Sequence, residues 1–69
     1  MGIFDRAEKK LEVLKYAKQY LDDNFKEKNY DFMMEHISDK CDDEDLSFID
    51  TASVLDESAK HYNHIMRNR

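Results

Sequence analysis

The chain has no proline and only one glycine, Gly2, in 69 residues. Tight turns and the loops that break strands draw on those two residue types more than on any others. A hairpin-rich sheet therefore has almost no turn material here, and the spacing of apolar residues decides what remains. No convincing two-residue alternation occurs. A chain this short buries only ~60% of the surface it exposes when unfolded, so it holds one small core. The sequence predicts a single helical domain over residues 1–69, all-α, built as a small three-helix bundle of a long, a short and a long helix.

Three segments carry the helical period. From Asp5 to about Asn29, the residues Phe4, Ala7, Leu11, Leu14, Lys18, Leu21 and Phe25 recur by threes and fours, which places them on one helix face. Lys18 interrupts the stripe, and its methylenes can lie along apolar neighbours while the ammonium reaches water. Asp5 and Glu8 read as a capping pair at the helix start, beside Phe4. The second segment, Tyr30 to Lys40, has an apolar face of Tyr30, Met33, Met34, Ile37 and Cys41, with Asn29 or Asp31 as its cap. The third follows Asp42–Asp45, with Phe48, Ala52, Leu55, Ala59, Tyr62 and Met66 as its stripe. Acid at its start and Arg67 and Arg69 at its end suit the helix dipole. The expected core is Leu11, Leu14, Leu21, Phe25, Met33, Ile37, Phe48, Leu55 and Tyr62. The two long helices are expected to run antiparallel, with the short one closing an end or a side.

Apolar residues are left over. Val13, Tyr16, Ala17 and Tyr20 fall on a flank that the first stripe does not cover, and Val54 and Ile65 point away from the third. They form either a second side of the three-helix core or a seam for a second copy, which would make the protein a homodimer.

Several function classes are excluded by residue type. A glycine-rich phosphate loop cannot be built from one glycine. Carboxylates on short solvated helices lack the burial that acid–base work needs, and a one-core chain does not enclose a site, so no enzyme is expected. Glu57, His61 and His64 are spaced by four and three and could meet a zinc ion on one helix face, with His36 of a neighbour as a fourth ligand. That spacing arises easily by chance, no cysteine pair supports it, and a solvated face is the expected outcome. The run Asp42–Asp45 lacks the central glycine of a calcium loop. No cofactor and no metal are expected. No apolar run is long enough for a signal peptide or a membrane span, Gly2 lacks the Ser/Thr at position six of a myristoylation site, and the one cysteine, Cys41, suits a buried apolar role in a reducing cytoplasm.

Charge is the feature that points to function. Residues 1–30 carry seven Lys/Arg against six Asp/Glu, whereas residues 31–57 carry ten Asp/Glu against Lys40 alone. Residues 58–69 add three basic residues, and the whole chain has a net charge of -5. Such segregation makes a one-signed field that repels nucleic acid and attracts a basic protein surface. First-turn helix acid accounts for only part of the ten carboxylates. The leading expectation is a small acidic interaction protein, an inhibitor or regulator that docks on the basic, nucleic-acid-binding surface of a larger protein as a nucleic-acid mimic does. Its binding residues are expected to be Asp39, Asp42, Asp43, Glu44 and Asp45, with Tyr30 and Phe32 as aromatic anchors. Direct binding to nucleic acid or membrane is not expected. The alternative is a homo-oligomeric helical adaptor joined through Val13, Tyr16 and Tyr20. A metal-responsive module on Glu57, His61 and His64 comes third.

Overall fold

A computed structural model describes residues 3–68, with side chains from Asp5 onward. The side chain of Phe4 and the whole of Gly2 and Arg69, to which the sequence gives packing, targeting and dipole roles, lie outside the described residues. Three helices are present: α1 (Ile3–Asn24), α2 (Tyr30–Asp43) and α3 (Phe48–Arg67). The all-α expectation and the long–short–long order hold, and no strand occurs among the described residues.

Asp5 lies inside the first turn of α1 and is not its cap. Asn29 caps α2, its side chain accepting a hydrogen bond from the Phe32 N–H at 2.7 Å. Ser47 caps α3 in the same way, its hydroxyl accepting from the Asp50 N–H at 3.1 Å. Each cap satisfies one of the four N–H groups that a helix start leaves without a partner. The Ser-x-x-Asp spacing of residues 47–50 signals this start in the sequence.

Short connections reverse the chain twice, so the bundle runs up, down, up. Arg6 near the start of α1 meets Asp50 near the start of α3 at 2.9 Å, and Asp22 near the end of α1 meets His61 near the end of α3 at 2.8 Å. The long helices are therefore parallel, not antiparallel, and the short helix is a full member between them. A 22-residue helix is about 33 Å long, which sets most of the 40 Å long axis.

The core is Val13, Ala17 and Leu21 of α1, Met33, Ile37 and Cys41 of α2, and Val54 of α3, with Ser58 fully buried among them. On α2 Met33, Ile37 and Cys41 of the expected stripe are buried, while Met34 is half-buried and Tyr30 is exposed. On the long helices the buried face lies about 100° round from the expected stripe, one residue's rotation. Leu11 is 52% exposed and Phe48 88% exposed, while Leu14, Phe25, Leu55 and Tyr62 are half-buried at the core's edge. The most buried positions of α1, α2 and α3 include Ala17, Cys41 and Ser58, small side chains that let three helices approach closely. The Ser58 hydroxyl is buried there without a hydrogen-bond partner among the described residues.

Candidate functional site

The acidic run belongs to the end of α2 rather than to the start of α3. Asp42 and Asp43 occupy its last turn and Glu44 is its C-cap. Asp45 follows with φ 57, the left-handed conformation that glycine adopts most easily. Its N–H bonds to the Asp42 carbonyl at 3.0 Å, and the Leu46 N–H bonds to the Cys41 carbonyl at 3.0 Å. These two bonds form a Schellman cap, with half-buried Leu46 packing against the core that contains Cys41. With no glycine available, an aspartate takes the left-handed position.

This placement reverses the electrostatic argument. Carboxylates stabilise a helix N-terminus and destabilise a C-terminus, where the carbonyls already carry partial negative charge. Asp42 and Asp43 are exposed and make no ion pair among the described residues. Glu44 alone in the run has a cation, Lys40 Nζ at 3.3 Å. Neither Asp42 nor Asp43 has a charge partner among the described residues to offset the dipole.

The first turn of α3 continues the surface. Phe48 and Ile49 are 88% and 72% exposed, the two most exposed large apolar side chains described. Beneath them Asp50 is buried and held by Arg6, whose Nε donates to Asp50 Oδ2 at 2.9 Å while its Nη2 donates to Ser47 Oγ at 3.2 Å. The Arg6 hydrogen bond pulls the Asp50 carboxyl below its ordinary value of 3.8, against the desolvation that raises it. Because the folded value is the lower one, the pair's contribution to stability is complete above the unfolded value. It is lost as pH falls through the depressed folded value. Arg6, Ser47 and Asp50 are thus a clamp that fixes the α2–α3 turn against α1. Sequence reading missed Arg6 and Ser47 in this role.

Asp39, Asp42, Asp43 and Asp45 are exposed as expected, and Glu44 is half-buried. Tyr30 and Phe32 are not beside them. They lie at the opposite end of α2, Tyr30 about 20 Å and Phe32 about 16 Å from Asp43 at 1.5 Å per residue. There Tyr30 packs edge-on against Tyr62 at 4.9 Å, and Lys28 Nζ sits 5.2 Å from the centre of the Phe32 ring. The apolar side chains next to the acid are Phe48 and Ile49 instead.

The other candidates are largely absorbed by the fold. Val13 and Ala17 of the proposed seam are inside the core. Tyr20 stacks on His36 at 4.2 Å, and the Tyr16 hydroxyl and His36 Nε2 share a hydrogen bond of 2.7 Å. His61 binds Asp22, Glu57 lies 3.8 Å from Lys60 and His64 lies 3.3 Å from the Asn68 amide. Among the described residues, no three His, Cys, Asp or Glu side chains are grouped so as to hold a metal ion. Cys41 is buried, and that burial raises its thiol above the usual value of 9.0. No helix among the described residues is long and apolar enough to cross a membrane.

Comparison of the chain with protein-family models, with curated proteins and with solved structures gives no match.

Proposed function

We propose that this protein is a non-enzymatic interaction module whose acidic end docks on a basic surface of a larger protein, one that binds nucleic acid, and so inhibits or regulates it. One observation supports this above the others: Asp42 and Asp43 stand at a helix C-terminus with no ion pair among the described residues, a few residues before the exposed Phe48 and Ile49. A cationic partner would relieve the repulsion that the helix cannot, and the two apolar side chains would supply the desolvated centre that charge alone lacks.

The reading is tested by capturing partners from the native host on wild type and on Asp42→Asn/Asp43→Asn in parallel, at low and high salt. The expected partner binds nucleic acid, loses that activity to the wild-type protein, and is retained by wild type at low salt but poorly by the variant. A partner held equally by both proteins, with no dependence on salt, overturns the reading.

A further inference from the structure

The acidic end is one terminus of a longer feature that runs along α2 and α3. Tyr16 and Tyr20 of α1 meet His36 on α2, and Lys40 Nζ lies 4.8 Å from the centre of the Tyr16 ring, so the His36/Lys40 flank of α2 faces α1. The opposite flank carries Asp31, Glu35, Ser38 and Asp42, spaced by four, three and four, which is one line along a helix. On α3, Asp50 and His61 face α1 through Arg6 and Asp22, while Tyr62 faces α2 through Tyr30. Tyr62 shares its line with Phe48, Ala52, Leu55 and Ala59. Phe48 and Ala52 are exposed and Leu55 and Ala59 half-buried. The face shared by α2 and α3 thus has an acidic wall about 16 Å long and an apolar wall about 21 Å long.

The acidic wall is unneutralised. Glu44, Asp50, Asp56 and Glu57 all have a Lys or Arg side chain within 4 Å and Asp22 has His61, whereas Asp31, Glu35 and Asp42 have none of these among the described residues. We infer that this face receives one amphipathic helix of a partner protein, apolar on one side with a flank of Lys or Arg, which docks as a fourth helix of the bundle. The apolar wall takes its Leu-type anchors and the acidic wall takes its cations. A second copy of this chain is a poor occupant, because a twofold contact sets each unpaired acidic wall against either the other acidic wall or the apolar wall, and neither supplies a cation. This inference rests on the docking proposal above and names the element of the partner that is bound.

The test uses the full chain and a designed peptide of Leu, Ala and Lys, with Leu at every third or fourth position and Lys along one flank. A second peptide of the same composition, scrambled to destroy the helical period, is the control. The inference expects the first peptide to gain helical circular dichroism on binding and the second to bind at least about tenfold more weakly. Ala52→Glu, at an exposed position, should weaken binding by about tenfold or more, and Glu35→Gln by roughly two- to threefold with a flatter salt dependence. Leu11→Glu, on α1 outside the face, should leave binding unchanged. Equal binding of the two peptides, or wild-type affinity in Ala52→Glu, overturns the inference. So does a wild-type dimer that Ala52→Glu dissociates, which would give the face to a second copy. If Ala52→Glu is silent while Asp42→Asn/Asp43→Asn weakens binding, the helix site falls and acidic docking stands. If Ala52→Glu and Glu35→Gln weaken binding while Asp42→Asn/Asp43→Asn does not, the helix site stands without the acidic end.

Discussion

The two ends of the bundle are finished differently. At one end α1 stops, α2 begins and α3 stops. There Asp22 is bound by His61, Asp23 accepts from the Gln19 amide at 3.0 Å, Asn29 caps α2, and Tyr30 and Tyr62 pack together. At the other end α2 stops in Asp42 and Asp43, which have no charge partner among the described residues, Asp45 holds a left-handed turn, and Phe48 and Ile49 are exposed. Both ends place two aspartates in the last turn of a helix, against the dipole. Among the described residues, only the first end answers them from within the chain. Acid at a helix C-terminus is therefore tolerable here when paired, and the unpaired end is the one whose composition folding does not explain.

Aromatic truncation should separate the ends most. Tyr62→Ala removes a half-buried ring from the closed end and should cost about 2–3 kcal/mol, whereas Phe48→Ala should fall within about 0.5 kcal/mol of wild type. Urea unfolding of the two variants checks this, and a large loss in Phe48→Ala would close the open end. Between the ends, Ser58→Ala should raise stability by about 1–2 kcal/mol, because it removes a buried hydroxyl that has no partner. Thermal unfolding decides the sign, and a destabilised Ser58→Ala would place a hydrogen bond there. The caps should move oppositely. Asn29→Ala loses a capped N–H and about 1 kcal/mol, while Asp45→Gly relieves the left-handed aspartate and gains about 1 kcal/mol. A loss in Asp45→Gly would mean that its side chain contributes to the turn.

The same contrast shows how far the sequence could be read. On α2 one stripe, Met33, Ile37 and Cys41, is both the apolar face and the buried one, so period alone locates it. On α1 and α3 apolar residues cover a wide arc, and the largest of them, such as Leu11 and Phe48, draw the stripe away from the axis of the bundle. The positions that three close helices share include Ala17 and Ser58, which carry little hydrophobic weight in a pattern. Direction failed for a simpler reason: two short connections make the first and third helices parallel, and stripe matching contains no information about that. In the candidate site, the carboxylates are legible as a charge run, and their exposure follows from composition. Their position at the end of α2 is not legible without the Ser47 cap, which fixes the start of α3 and pushes Asp42 and Asp43 back into the preceding helix. Tyr30 and Phe32 are separated from the acid by the length of α2 itself, which the charge pattern does not register.

The smallest expected effect per site is also the most direct test of the central claim, that the acid at the open end serves binding and opposes folding. Thermal unfolding of wild type and of Asp42→Asn/Asp43→Asn is compared at low and high salt, with Asp22→Asn as the control from the closed end. Relief of the dipole should make the double variant more stable than wild type by about 0.3–1 kcal/mol per site at low salt. Screening should shrink that gain as salt is raised. Asp22→Asn, which gives up its His61 partner, should show no such gain. A double variant that is less stable than wild type at low salt would mean that Asp42 and Asp43 stabilise the fold, and the claim would fail.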